Sequence, residues 1–393
     1  MPMIRANGVE LFYDLTGPED APVVVFSNSL GTTLEMWDQQ VRALAPRYRC
    51  LRYDTRGHGR SQVLDQPANI DDLARDLAGL LDALDIAEAH VVGLSLGGMT
   101  AQALAMVAPQ KVTSLVLMAT SAHMPPPESW EERARTVREH GMSAIVDAVL
   151  SRWFTPAFMA EGAASIAAVR DRFLATDPRG YAACCQAIRD MDLRPKIGAI
   201  RAPTFIIAAA DDPSTPVAML EDIRARIPGA EMVTVSQAAH LVAVEQPAVV
   251  NAHLENFLTR VAGVREPRSG GPSLDAGLAN RKAVLGVDHV QRSYDRGGAF
   301  AKPWQDFITR NAWGEVWGDP TLPWKTRSLV TLAMMVALHR EEEFKIHLRP
   351  ALKNGVTLEE LRSLLLQTAV YAGVPAANAA FRWVRDVLGD EIE

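Results

Sequence analysis

A serine, an aspartate and a histidine, in that chain order, carry the first chemistry visible in the sequence. Ser95 lies in the Gly-Leu-Ser-Leu-Gly motif at residues 93–97, between a β-rich run and a helix-compatible stretch. This context is typical of a sharp strand–turn–helix that holds the serine in a strained conformation where a base can reach it. His240 is the candidate base, and Asp212 is the candidate carboxylate that orients its imidazole. The adjacent Asp211 competes for that role.

Attack by Ser95 on an acyl group also needs two N–H donors for the developing oxyanion. The residue after the serine, Leu96, offers one backbone N–H, and the loop at residues 28–31 offers the other, with Leu30 favoured. Each such donor is worth roughly 10²–10³ in rate. A further histidine, His58, lies in a glycine-rich stretch that is more typical of a structural turn than of a catalytic loop.

A second group of chemically capable residues occupies positions 339–347. On a continuous helix His339, Glu343 and His347 fall at i, i+4 and i+8, along one stripe. This stripe is open to two interpretations, a metal site and a solvated charged face. Because the pattern offers no fourth ligand, we expect no metal here.

The elements around Ser95 alternate between apolar strand-like runs and helical patterns. Such alternation predicts a largely parallel sheet covered by helices on both faces. From about residue 121 to 197 the strand signal disappears, and this helical stretch is expected to form a cap over the active site. The predicted strands are Val9–Asp14, Val23–Ser27, Cys50–Asp54, His90–Gly93, Ser114–Met118, Pro203–Ala209 and Glu231–Val235.

The chain divides at a proline- and glycine-rich stretch. Residues 263–277 lack periodicity and are expected to be a linker between a domain at 1–262 and a second domain at 278–393. The second domain shows almost only amphipathic helical patterns, and Thr357 with Glu360 forms a capping box at the start of one of them.

Composition limits the function classes. The chain has 393 residues, a formal net charge of −7 and a pI near 5.8, which argues against nucleic-acid and anionic-membrane partners. The longest apolar run is too short to cross a membrane, and the N-terminus lacks the apolar core of a signal peptide. Two of the three cysteines, Cys184 and Cys185, are adjacent, so an ordinary disulfide framework is not expected. We expect a cytoplasmic enzyme that acts on small molecules.

Residues 1–260 resemble the 3-oxoadipate enol-lactone hydrolases, a family of α/β-hydrolases. The resemblance rests on residues 28–33, 53–59, 93–98 and 239–247. It implies an α/β-hydrolase fold with a helical cap, hydrolysis of an enol lactone, and an enolate leaving group that collapses to a ketone. The substrate carries a carboxylate, for which Arg56 and Arg152 are both candidate partners. Arg152 and Trp153 in the cap either contact substrate or pack the cap.

Residues 278–393 resemble the 4-carboxymuconolactone decarboxylases, on the evidence of residues 324–327, 343–355 and 371–378. The resemblance implies an all-helical bundle shared with alkylhydroperoxidase-type peroxide reductases. No cysteine follows Cys185, so thiol peroxide chemistry is excluded. The implied decarboxylation needs no cofactor. The candidate groups are Arg327 for a substrate carboxylate, His347 or Glu343 for the proton, and Tyr371 for the lactone oxygen.

The two resemblances imply consecutive reactions of bacterial protocatechuate degradation, the β-ketoadipate pathway. We therefore expect a bifunctional enzyme that turns 4-carboxymuconolactone into the enol lactone and opens it to 3-oxoadipate, and that oligomerises through its C-terminal domain. One alternative is a broad-specificity esterase or hydrolase-fold haloperoxidase whose helical domain only drives assembly. Another is a non-enzymatic binding scaffold.

Overall fold

The computed structural model describes residues 2–64, 66–261 and 273–392. It falls into two compact units, and each is described by itself. The first comprises Met1–Glu231 and Val235–Asn251, and the second comprises Met232–Thr234 and Ala252–Glu393.

An eight-stranded sheet, of which β1 to β7 lie entirely in the first unit, forms the centre of that unit. Its strand order is β1-β2-β4-β3-β5-β6-β7-β8, with β1 and β2 antiparallel to their neighbours and parallel pairing from β4 through β3, β5 and β6 to β7. The middle strands are nearly continuous apolar runs because both of their faces are covered. The strands are β1 (Met3–Ala6), β2 (Val9–Thr16), β3 (Val23–Ser27), β4 (Arg49–Tyr53), β5 (Ala89–Leu94), β6 (Val112–Met118), β7 (Thr204–Ala209) and β8 (Glu231–Val235).

Eleven helices accompany this sheet in the described residues, and five of them, α4 to α8, form the insertion after β6 that the sequence predicts as a cap. This arrangement confirms the expected α/β-hydrolase fold with a helical cap. The helices are α1 (Asp38–Leu44), α2 (Ile70–Ala83), α3 (Leu96–Val107), α4 (Pro127–His140), α5 (Val146–Trp153), α6 (Pro156–Glu161), α7 (Ala163–Leu174), α8 (Pro178–Arg189), α9 (Val217–Arg226), α10 (Val242–Glu245) and α11 (Pro247–Val261).

Aromatic rings pack the cap helices against one another, and one very close backbone approach joins the cap to a loop at the end of the sheet. Phe173 contacts both Trp153 and Tyr181 edge-to-face, with ring centroids 5.5 and 5.6 Å apart. On α8, a Cβ added to Gly180 would lie 2.2 Å from the carbonyl oxygen of Gly57. Only glycine allows this contact between helix and loop.

The second unit is helical, apart from residues 232–234. Its helices are α12 (Leu274–Leu285), α13 (Val287–Ile308), α14 (Trp324–Ala337), α15 (Glu341–Lys353), α16 (Leu358–Tyr371) and α17 (Val374–Leu388), and a π-helical segment covers Thr309–Val316. One apolar core, which includes Leu332, Phe344 and Trp383, lies among α14 to α17, and a second gathers Trp313, Trp317 and Trp324.

Two details differ from the sequence prediction. Helix α12 begins at Leu274, with the Ser273 side chain accepting the N–H of Ala276, so the predicted linker at 263–277 ends earlier than expected. Its residues 263–272 lie outside the described part of the chain. The predicted stripe of His339, Glu343 and His347 is also broken, because α15 starts at Glu341 and His339 lies in the preceding turn with φ 53°.

The cysteines are buried in the first unit. Cys50, Cys184 and Cys185 are free thiols, and burial raises the pKa of each to about 12. Over the described ranges, no helix combines the length and the apolar character needed to span a bilayer.

Candidate active site

Ser95 is held at a strained turn between β5 and α3. Its backbone has φ 56° and ψ −117°, and its N–H donates to the carbonyl oxygen of Met118 at 2.9 Å. The flanking glycines are required, because a Cβ on Gly93 would lie 2.2 Å from the oxygen of Gly97, and a Cβ on Gly97 would lie 2.0 Å from that of Ser27. The local sequence therefore fixes the serine at the carboxyl end of the sheet.

The predicted histidine and acid are in contact. The ring Nδ1 of His240 lies 2.8 Å from Oδ2 of Asp212. That carboxylate also accepts the Thr215 hydroxyl at 2.6 Å and the N–H of Ser214 at 2.7 Å. Burial alone would raise the pKa of the Asp212 carboxyl, but the nearby His240 and these hydrogen bonds hold it below its ordinary value. Asp211, the competing candidate, is exposed.

Ser95 and His240 are both buried, with 7% and 4% of their surface exposed. Among the described residues, neither the Ser95 hydroxyl nor Nε2 of His240 hydrogen-bonds to a protein group. Because Nδ1 is committed to Asp212, Nε2 is the nitrogen left to receive a proton.

The predicted oxyanion donors are both buried, Leu30 in a loop and Leu96 at the start of α3. The backbone N–H groups of Leu30 and Leu96 have no protein acceptor within the described ranges, and Leu96 opens α3, where first-turn N–H groups are unpaired. The next N–H along from Leu30, that of Gly31, donates to Nε2 of His58 at 2.9 Å, while Nδ1 of His58 lies 3.2 Å from the oxygen of Arg56. Burial lowers the pKa of His58 to about 4, so the ring is neutral at pH 7 and accepts this bond. The predicted turn residue thus holds the loop that contains Leu30.

Glu245 is a site residue that the sequence prediction missed. Its Oε2 accepts the N–H of Ala239, next to His240, at 2.8 Å. Its Oε1 accepts the N–H of Thr155 at 3.0 Å and also the Thr155 hydroxyl. One buried carboxylate therefore joins the histidine loop to Thr155, the N-cap of cap helix α6. In the sequence, Glu245 lies within residues 239–247, which carry the resemblance, but no role was assigned to it there.

The predicted carboxylate ligands of the first unit differ in their surroundings. Arg56 is committed to Asp76, which accepts from Nε and Nη2 of Arg56 at 2.5 Å each and is itself buried. Arg152 is exposed at the end of α5, whereas Trp153 is buried and its carbonyl oxygen accepts the N–H of Leu241 at 3.0 Å.

Arg133 on α4 is a cation that the sequence prediction did not select. Its guanidinium lies 5.5 Å from the Tyr181 ring centroid and 5.4 Å from that of Trp130. Within the described residues its Nε and the buried Tyr181 hydroxyl both lack a hydrogen-bond partner. The Tyr181 ring also lies beside the His58 ring, with centroids 6.3 Å apart.

In the second unit, Glu343 and His347 are one turn apart on α15. Glu343 is exposed, while His347 is half-buried and stacked parallel to the Trp313 ring, with centroids 6.3 Å apart. Burial, followed by the positive charge of His289, lowers the pKa of His347 to about 4, and Glu343 opposes this shift.

The other two predicted decarboxylase residues, Arg327 and Tyr371, have different contacts from Glu343 and His347. Nη2 of Arg327 donates to the backbone oxygen of Asp319 at 2.7 Å. Tyr371, at the end of α16, has 84% of its surface exposed.

Two family models match the chain. The alpha/beta hydrolase fold family matches residues 22–158 and 167–247, and the Carboxymuconolactone decarboxylase family matches residues 302–386. Together they cover the two parts that the sequence assigns to different chemistries.

Individual relatives agree with these families. The chain is 37% identical to 3-oxoadipate enol-lactonase 2 of Acinetobacter baylyi over 65% of this chain and 96% of the relative. It is 50% identical to 4-carboxymuconolactone decarboxylase of the same organism over 29% of this chain and 85% of the relative. A crystal structure of the enol-lactonase from Burkholderia xenovorans LB400 aligns with a TM-score of 0.65 at 41% identity, over 66% of this chain and all of that one. The chain therefore belongs to the alpha/beta hydrolase fold family and, through its C-terminal part, to the carboxymuconolactone decarboxylase family, as a fusion of the two.

Proposed function

We propose that this chain is a bifunctional enzyme of the β-ketoadipate pathway. Its second unit decarboxylates 4-carboxymuconolactone to 3-oxoadipate enol-lactone, and its first unit hydrolyses that lactone to 3-oxoadipate. The observation that carries the hydrolase half is the hydrogen bond between His240 and Asp212 in the unit that presents Ser95 on a strained turn. The relatives of the two halves catalyse reactions that follow one another, which supports both assignments.

In the hydrolase reaction, Ser95 Oγ attacks the lactone carbonyl and its proton passes to Nε2 of His240. Asp212 stabilises the imidazolium that forms, and the N–H groups of Leu30 and Leu96 receive the oxyanion. The ring C–O bond then breaks, and the leaving enol becomes the ketone. Water, activated by His240, releases 3-oxoadipate from the serine.

Substrate recognition in this unit requires a cation for the carboxylate. We assign that role to Arg133, because its guanidinium has no acidic partner among the described residues. Arg56 remains a candidate by sequence, but its charge is already matched by the buried Asp76. Arg152 is a second candidate at the exposed end of α5, and the Trp153 ring packs on Phe173 within the cap, while its backbone oxygen accepts the N–H of Leu241.

In the decarboxylation, the C–C bond to the departing carboxylate breaks and its electrons delocalise into the lactone carbonyl as a dienolate. A proton must then reach the α-carbon. His347 is neutral in the free protein because of its lowered pKa. Two substrate carboxylates raise that pKa on binding, so His347, supported by Glu343, is the proposed proton donor. Arg327 and Tyr371 keep their predicted binding roles as part of this proposal.

The second unit also carries the proposed oligomer contact. Of the twenty large hydrophobic side chains that are exposed in the described residues, sixteen lie in this unit, among them Phe300, Trp304 and Val370. Exposed apolar surface on this scale is typical of an interface, so we propose self-association through this unit. The three unpaired, buried cysteines support a reducing, cytoplasmic location.

The test is to supply the purified chain with 4-carboxymuconolactone and follow carbon dioxide, enol lactone and 3-oxoadipate. We expect Ser95→Ala to release carbon dioxide while enol lactone accumulates. We expect His347→Ala to lose decarboxylation but still open separately supplied enol lactone.

Each alternative has its own signature in this assay. Hydrolysis of aryl esters without carbon dioxide release from wild type would favour the esterase alternative. Loss of both activities in the Ser95→Ala chain would contradict two independent sites.

A further inference from the structure

A buried arginine in the second unit has no acidic partner. Arg281, on α12, has 5% of its surface exposed. Its Nη1 donates to the Thr309 hydroxyl at 2.9 Å, and its guanidinium lies 5.8 Å from the Tyr294 ring centroid. Within the described residues, Nε of Arg281 has no hydrogen-bond acceptor and no carboxylate forms an ion pair with the side chain.

The nearest acid in this hydrogen-bond chain is already neutralised. The Tyr294 hydroxyl contacts Thr309 at 3.2 Å and donates to Asp306 at 3.3 Å. Asp306 in turn forms an ion pair with Lys302 at 2.5 Å. A buried cation left without a counterion costs free energy of folding. Burial accordingly lowers the pKa of Arg281, and an arriving anion would relieve this cost.

Arg281 adjoins the proposed decarboxylation site through two short connections. Its neighbour Asn280 donates to the carbonyl oxygen of Trp313 at 2.8 Å, and the Trp313 ring stacks on His347. Thr309, the partner of Arg281, opens the same π-helical segment that contains Trp313. The packing around His347 therefore includes the residues that hold Arg281.

The charges near His347 also favour binding of an anion. The pKa of His289 is lowered by burial first and then by the positive charges of Arg281, Arg292 and Arg296. His289 in turn lowers the pKa of His347. The positive charges of Arg281, Arg292 and Arg296 around His289 suit a substrate that carries two negative charges.

We propose that the Arg281 guanidinium binds a carboxylate of the decarboxylase substrate. This inference rests on the proposed decarboxylation. It adds a residue outside the segment 302–386 that the decarboxylase family model matches. The substrate class is a small lactone dicarboxylate, of which one carboxylate departs and the other is retained.

The carboxylate bound by Arg281 is the retained one. The departing group loses its charge as carbon dioxide forms, so a partner on that group would affect kcat as well as KM. Binding of the retained group is equally strong before and during bond breaking. It therefore lowers KM and leaves kcat nearly unchanged.

The test compares Arg281→Met and Arg281→Lys with wild type in steady-state decarboxylation of 4-carboxymuconolactone by the full chain. We expect Arg281→Met to raise KM about 10- to 100-fold, the scale of a lost charge-assisted hydrogen bond, with kcat changed by less than about 3-fold. Arg281→Lys, which keeps the charge but not the planar fork, should fall between them. The matched control is Arg362→Met, an exposed arginine on α16, which should leave both constants unchanged.

Two further readouts separate binding from a structural role. Hydrolysis of supplied enol lactone should be unchanged in Arg281→Met, and its melting temperature should not fall, because the substitution removes an unpaired buried charge. A lowered melting temperature, or a fall in kcat at constant KM, would overturn the inference. If wild type decarboxylates the substrate but Arg281→Met has an unchanged KM, only the inference about Arg281 is overturned. If wild type releases no carbon dioxide, the proposed decarboxylase function is overturned as well.

Discussion

Replacing Glu245 with glutamine tests how the cap is tied to the catalytic histidine. The carboxylate is 6% exposed and accepts from Ala239 on one oxygen and from Thr155 on the other. A glutamine of the same shape must turn its NH₂ group toward one of these N–H donors. One buried N–H then loses its acceptor, which costs about 1–3 kcal/mol.

We expect Glu245→Gln to lower the melting temperature of the first unit by about 4–8 °C. This follows from about 2 kcal/mol and a shift of roughly 2–4 °C per kcal/mol for a domain of this size. We also expect kcat for enol-lactone hydrolysis to fall about 10-fold, since Ala239 directly precedes His240 and a small misplacement of the base slows proton transfer.

Calorimetry and enol-lactone hydrolysis measure the two effects, with decarboxylation by the same chain as an internal control. Glu221→Gln, at an exposed position on α9, is the matched control and should change neither. A Glu245→Gln chain with wild-type melting and wild-type kcat would refute the reasoning that this carboxylate positions the histidine loop.

Two other substitutions probe the contacts of residues 57 and 58. His58 has a pKa lowered to about 4 by burial, so the unfolded chain binds a proton below about pH 6.5 that the folded chain does not. Stability should therefore fall by about 1.4 kcal/mol per pH unit for this group as the pH drops from about 6.5 to about 4. Denaturant titrations at several pH values give the free energy of unfolding as a function of pH. Its slope against pH should be shallower by that amount in His58→Asn than in wild type, and parallel plots would contradict the neutral, buried ring. Gly180→Ala places a Cβ 2.2 Å from the Gly57 oxygen and should destabilise the first unit by about 1–3 kcal/mol. Gly198→Ala is the control and should not destabilise the unit, because its Cβ would lie 3.5 Å from the nearest atom. Equal melting temperatures for the two variants would rule out the close-contact argument.

The sequence predicts best what is determined locally. The strand–turn–helix around Ser95, the capping box of Thr357 and the runs that become β3 and β5 all depend on neighbours within a few residues. Strand β1, at Met3–Ala6, escaped prediction because four residues carry little pattern and gain their pairing from β2.

Contacts between distant residues were beyond such reasoning. The charge of Arg56 is taken up by Asp76, twenty positions later, and Thr155 meets Glu245 across 90 positions. His339 fits a helical stripe by spacing, yet the chain turns there with a positive φ and α15 starts two residues later. Arg281 showed no motif, because its significance depends on the lack of an acidic neighbour in three dimensions.

The inaccessible thiols make this chain convenient to label. With Cys50, Cys184 and Cys185 buried and their pKa values near 12, maleimide reagents should find almost no native thiolate to modify. A single cysteine introduced at an exposed position, such as Arg362 on α16, would then carry a fluorophore or spin label with little background. Labels at two such positions, one in each unit, would allow the distance between the two reaction centres to be measured.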